Sequence, residues 1–201
     1  DSCASSELLA DDELDGELAH RLGRVVAAIH LLPHRTHDAD EGRDARSGAA
    51  FYALSADGYA NCSGGEVEAW AMLQHDKRLV QGLADLRAMS ARAPAVASHN
   101  DLRLDQFLLT GGEVYVVDWE EFGYGDPARD LGTVVGEFLH HAAVRMFSEL
   151  DVDAGLAPGA AHEAIVATGE REFAKIADHI RGVWAGYRSS GPRMAIVETL
   201  A

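Results

Sequence analysis

The chain has 201 residues, 47% of them hydrophobic, and a formal net charge of −16. That length supports one good-sized domain with its own core, and no apolar run approaches the roughly 20 residues a membrane helix needs. So acidic a surface repels phosphate backbones and anionic lipid, which argues against nucleic acid or membrane as partner and favours a cationic ligand or a basic protein.

No basic-then-apolar leader pattern opens the chain, so the expectation is a soluble, cytoplasmic protein. Leu14, Leu18, Leu22, Val25, Val26, Ile29 and Leu32 recur at helical spacing and predict an amphipathic helix. Asp11 or Asp12 is its expected cap, and Pro33 ends it. Residues 33–65 lose the pattern and read as a loop-rich insertion. Within it, His34, Thr36, His37 and Asp38 read as a solvated cluster rather than a metal site. A second helix is predicted from Glu66 to about Met89, burying Val67, Trp70, Leu73, Val80, Leu83 and Leu86, with Pro94 marking its end.

Residues 95–98 read as a short strand. Residues 107–109 and 114–117 read as two strands joined at Gly111-Gly112, a hairpin signal. Asp126-Pro127 opens a helix whose apolar face is Leu131, Val134, Val135, Phe138, Leu139 and Ala142. His140 and His141 are adjacent and cannot share one helical face. A long helix over 160–187 is expected to bury Ile165, Val166, Phe173, Ile176, Ile180, Val183 and Trp184, and Pro192 opens a last one. Trp70 and Trp184 sit at core spacing. Cys3 and Cys62 are too few and too far apart for a disulfide framework or a zinc site. Only Lys77 and Lys175 of the 17 basic residues are lysine, a usage like that of high-GC bacterial proteins. The fold class is α+β, mostly helical, with a small β-hairpin.

The chemistry concentrates around that hairpin, in Ser98-His99-Asn100-Asp101-Leu102-Arg103-Leu104-Asp105-Gln106 and Val117-Asp118-Trp119-Glu120. An amide stands five residues after Asp101, and a second acid twelve residues after that amide. Phosphoryl transfer to an alcohol uses such parts: one carboxylate beside the acceptor hydroxyl, and an amide and a second carboxylate for magnesium. Asp101 is the candidate base, since a hydroxyl cannot ionise alone near neutral pH. Asp118, at a strand end, is the candidate magnesium ligand, with Gln106 supplying a neutral oxygen. His99 reads as a loop-orienting residue. Asp105 is a possible substitute ligand, and Glu120 reads as a solvated carboxylate beside the site.

The run S-H-N-D-L-R-L-D-Q-F-L-L, then V-Y-V-V-D-W-E-E-F-G-Y-G-D-P-A-R-D-L-G, resembles the aminoglycoside phosphotransferase and choline kinase-like family. The matched block covers roughly residues 95–136, and the first long helix is similar to that family's first C-lobe helix. The resemblance implies a protein-kinase-like fold, ATP and magnesium as cofactors, Asp101 as base and Asp118 on magnesium. It also implies that Asp130 buttresses the catalytic loop and that Asp126 caps a helix. The sequence departs from the family pattern at two places, with Asn100 where glycine is usual and Gln106 where asparagine is usual. The extra methylene of Gln106 moves its oxygen by about a bond length or more, a large shift for an ion that wants tight octahedral geometry.

A glycine-rich phosphate loop and a strand lysine are not recognisable: Ser63-Gly64-Gly65 lacks the spacing, and Lys77 lies in a helical pattern. The expectation is therefore the C-lobe of a longer kinase-like protein. Three functions fit: a kinase for a small-molecule hydroxyl, in antibiotic resistance or natural-product biosynthesis; a peptide Ser/Thr kinase working with a lyase, as a partner protein in a biosynthetic complex, in lanthipeptide-type biosynthesis; or a non-catalytic pseudokinase module.

Overall fold

The computed structural model describes residues 2–10, 13–33, 55–148 and 157–190. It opens with strand β1 (Ser2–Ala4) and helix α1 (Ser5–Ala10), followed by α2 (Gly16–His30). Next come α3 (Ala56–Asn61), α4 (Gly64–His75) and α5 (Lys77–Ser90). The central segment holds β2 (Val96–Ser98), a 3-10 turn (Leu104–Gln106), β3 (Phe107–Thr110), β4 (Glu113–Val116), a second 3-10 turn (Trp119–Glu121) and β5 (Gly123–Gly125). Two long helices close it, α6 (Pro127–Ser148) and α7 (Pro158–Ser190).

Helix α2 begins at Asp15, whose carboxylate accepts from the Leu18 amide at 2.7 Å. That side chain satisfies one of the orphan amides of the first turn, so the cap is Asp15 and not the earlier pair of aspartates. The buried stripe of α2 is Leu18, Ala19, Leu22, Val26, Ala27, Ile29 and His30. It meets Val134, Phe138 and Ala142 of α6, and Ile176, Val183 and Tyr187 of α7, in one core that also takes Leu102, Leu104 and Phe107. Each such large side chain contributes on the order of 2 kcal/mol by leaving water.

The contact between α2 and α7 is led by glycine. A Cβ on Gly23 would collide with the backbone carbonyl of Val183, and one on Gly186 with that of His20. The two backbones therefore lie against each other. This phase of α7 buries Thr168, Gly169, Glu172, Ile176, Val183, Gly186 and Tyr187. Ile176 and Val183 of the expected face are buried, whereas Val166, Phe173 and Trp184 stay substantially exposed, which corrects that part of it. Trp184 instead lies flat over Tyr187, ring centroids 6.1 Å apart.

The expected single helix over 66–89 is two helices, broken at Asp76. The Asp76 carboxylate accepts from the amides of Arg78 and Leu79, so it competes with the helical ladder and starts α5. Neither α4 nor α5 has a buried residue, contrary to the expected core role of Leu73 and Leu86. Leu73, Leu79, Val80 and Leu83 line a shallow cleft between the two. Within the expected irregular stretch, residues 56–61 are helical. The His34–Asp38 cluster and the helix expected from Pro192 lie outside the described residues.

Strands β3 and β4 form an antiparallel hairpin, Phe107 opposite Val116 and Thr110 opposite Glu113. Gly111 and Gly112 turn it at φ 58° and 84°, a left-handed pair that suits the twist of a two-residue hairpin. Strand β1 adds to the free edge of β3. Separately, β2 pairs antiparallel with β5, Ser98 opposite Gly123, which draws the segment before Asp101 alongside the segment after Asp118.

Candidate active site

The loop from His99 to Gln106 runs between β2 and the hairpin. His99 is fully buried, and its Nε2 lies 2.9 Å from the Val117 carbonyl oxygen. The Trp119 ring tilts against the His99 ring at 4.9 Å, and its indole N–H donates to the Val116 carbonyl at 2.9 Å. His99 Nδ1 is buried with no hydrogen-bond partner among the described residues.

Asp130, on the first turns of α6, is fully buried. Its Oδ2 accepts the His99 backbone amide at 2.9 Å, and its Oδ1 accepts that of Asn100 at 2.8 Å. One carboxylate thus fixes the two peptide groups that precede Asp101. Charge-assisted bonds to backbone amides are among the stronger ones. Asp126 accepts the Ala128 amide at 2.9 Å and starts α6, with Pro127 in the first helical position, where no amide is needed.

Asp101 is half exposed and faces Arg103, Nε to Oδ2 3.5 Å. Arg103 also reaches Asp105, Nη1 to Oδ2 3.4 Å, so one guanidinium spans the two acids. Gln106 is 6% exposed, and its Nε2 lies 3.5 Å from Asp118 Oδ2. Val117 donates its amide to the Gln106 carbonyl at 3.1 Å, closing the base of the hairpin beneath that pair. Asp118 is exposed and holds a left-handed backbone, φ 62° and ψ 61°. A non-glycine residue in that region is uncommon and costs of order 1–3 kcal/mol, which the surroundings must supply. Glu120 is exposed on the turn after Asp118.

The hairpin therefore brings Gln106 and Asp118 together, with Asp101 on the loop leading into it. Sequence reasoning missed the depth of the support. His30 and Tyr187 extend the Asp130 network inward: His30 Nε2 lies 3.2 Å from Asp130 Oδ2, and His30 Nδ1 lies 2.9 Å from the Tyr187 hydroxyl. The available signal was His30 standing four residues after Val26 on the buried stripe of α2. The Arg103 bridge was missed too.

The donor set suits a hard cation. A carboxylate and an amide sit together at the mouth, and magnesium is usually held by one or two carboxylates with phosphate oxygens and water completing its shell. Among the described residues no three His, Cys, Asp or Glu side chains gather as a metal site. As placed, the amide nitrogen of Gln106 faces Asp118, and a half-turn of the terminal amide presents the oxygen instead.

Residues 4–169 match the APH pattern, the phosphotransferase enzyme family, and the chain belongs to that family. Among solved structures it resembles a glucosamine kinase (crystal form A) at 21% identity and a TM-score of 0.55, covering 94% of this chain and 48% of that one. Glucosamine kinase in complex with glucosamine, ADP and inorganic phosphate is equally close, with 21% identity, a TM-score of 0.54, and coverage of 94% and 49%. A choline/ethanolamine kinase family protein from Mesorhizobium loti is more distant, at 17% identity and a TM-score of 0.37 over 90% of this chain and 70% of that one. The likeness to the two glucosamine kinase structures shows a kinase-like fold, and the chain spans about half the length of those proteins. Comparison with curated proteins gives no match. No helix among the described residues is long and apolar enough to cross a membrane.

Proposed function

We propose that the chain is the C-terminal lobe of an ATP- and magnesium-dependent phosphotransferase that phosphorylates a hydroxyl of a small, cationic molecule. The observation that carries this is the meeting of Gln106 and Asp118 at 3.5 Å, with Asp101 on the adjoining loop, in a member of the phosphotransferase family. The length shared with the glucosamine kinases, about half of theirs, supports the lobe assignment. On this reading a glycine-rich loop and a lysine from another part of the polypeptide cover the nucleotide.

In this scheme Asp101 orients the acceptor hydroxyl and takes its proton late in transfer. Arg103 restrains Asp101 from one side. Asp118 and Gln106 would hold magnesium, which when bound neutralises charge on the phosphate oxygens. Asp130 keeps the two peptides before Asp101 in register. A cationic acceptor, an amino sugar or aminoglycoside, fits the net charge of −16 and the exposed acids Asp105, Glu120 and Glu121 around the mouth.

Incubating the full-length polypeptide with labelled ATP and magnesium tests this against glucosamine, an aminoglycoside panel and Ser/Thr peptides. Label on an amino sugar or aminoglycoside supports the reading. Label only on peptides points to the modified-peptide alternative. No transfer and no magnesium-dependent nucleotide binding by calorimetry makes the protein a non-catalytic module.

A further inference from the structure

Behind the catalytic loop, four groups lie in a buried line. The Tyr187 hydroxyl is 2.9 Å from His30 Nδ1, and His30 Nε2 is 3.2 Å from Asp130 Oδ2. Asp130 then accepts the His99 and Asn100 amides at 2.9 and 2.8 Å. Tyr187, His30 and Asp130 are at most 4% exposed. The line joins α7, α2 and α6 to the two peptides before Asp101. Its outer end is held by the glycine contact, since the Gly23 backbone lies against the backbone of Tyr187, whose side chain reaches His30 at the end of α2.

The protons on this line follow from who can accept. Asp130 already takes two backbone amides. A bare Nε2 lone pair aimed at the same carboxylate would be repelled, so Nε2 carries hydrogen. Nδ1 then faces the Tyr187 hydroxyl. In a neutral ring Nδ1 is then the acceptor, and the Tyr187 hydroxyl 2.9 Å away, which has no other hydrogen-bond partner among the described residues, is its donor. We propose that Tyr187 is a positioning residue: by donating to Nδ1 it holds His30 as the neutral Nε2–H tautomer, which aims Asp130 at the loop that carries Asp101.

Burial, and then the charges of Asp130 and Asp126, push the Tyr187 hydroxyl up to about 12, so it remains a proton donor at neutral pH. The consequence for catalysis rests on the phosphotransferase reading above, whereas the tautomer is measurable without any activity.

The test uses the full-length protein labelled with ¹⁵N-histidine. Two-bond ¹⁵N–¹H correlations of native His30 should give the single Nε2–H pattern. Tyr187→Phe removes one oxygen and keeps the ring. It should abolish the single-tautomer pattern and speed exchange of the His99 and Asn100 amides roughly tenfold, while other core amides stay protected. If the enzyme transfers phosphate, kcat falls with the nucleotide KM little changed. If it has no activity, the functional reading fails and the imidazole measurement alone decides the proposal. An Nδ1–H pattern in the native protein overturns it. So does a Tyr187→Phe variant with unchanged His30 signals and amide exchange, or one in which all core amides accelerate alike.

Discussion

The side-chain amide of Asn100 donates to the backbone carbonyl of Glu121 at 2.9 Å, tying the loop that carries Asp101 to the turn that follows Asp118. Asn100 itself is left-handed, at φ 69°. Asparagine tolerates that region and adds a bond that glycine lacks. The departure from the family pattern thus exchanges backbone freedom for a clamp across the two halves of the site.

This arrangement sets an order of stability. Asn100→Gly keeps the backbone relaxed and loses the side-chain bond to Glu121 and a longer one to the Ser98 carbonyl, costing roughly 0.5–1.5 kcal/mol. Asn100→Ala loses the same two bonds and adds left-handed strain of about 1 kcal/mol or more. Urea unfolding midpoints should fall in the order wild type, Asn100→Gly, Asn100→Ala.

Two glycines in long helices should respond with opposite signs. Gly186→Ala drives a Cβ into the His20 backbone, which cannot swing aside. It should cost about 1–3 kcal/mol or more and lower the melting temperature. Gly136 in α6 has nothing within 4 Å of its would-be Cβ. Gly136→Ala should raise the melting temperature, by up to about 1 kcal/mol of helix propensity.

Tyr187 sets an alkaline limit. Its hydroxyl is raised from 10.0 to about 12 in the folded chain. Between those values the unfolded phenol has lost its proton and the folded one has not, so unfolding releases a proton. Stability from this group is complete below pH 10 and is lost as pH rises through about 12. Denaturation midpoints at about pH 9 and about pH 11.5 should diverge more for wild type than for Tyr187→Phe, which has no phenol to ionise.

Much of the site was readable because its signals are local. The spacing across 98–120 and the Gly111-Gly112 turn sit in one short stretch, where sequence order and spatial order agree. What was not readable depends on distant partners. Ser2–Ala4 has no strand pattern and becomes a strand by meeting the free edge of β3. The break at Asp76 was hidden because apolar residues continue at helical spacing on both sides of it. The buried face of α7 was only partly assigned, with Ile176 and Val183 inside but Val166, Phe173 and Trp184 out, because close glycine contacts help choose which side meets α2. His30 looked like one more residue at a helix end, and only the fold brings Asp130 and Tyr187 to it.

Asp118 offers a separation of backbone from charge. Asp118→Asn suits the left-handed geometry as well as aspartate does, so the fold should be unchanged. Magnesium would lose its carboxylate. In the full-length protein, calorimetry should find magnesium-dependent nucleotide affinity down by about tenfold or more, with the melting temperature of the unliganded protein preserved.

The central claim, that Asp101 takes the proton of an acceptor hydroxyl, is tested most directly by Asp101→Asn in the full-length protein. Transfer of labelled phosphate from ATP to an amino-sugar acceptor should slow by about 10²–10⁴-fold, with nucleotide binding retained. Transfer at the wild-type rate would contradict it.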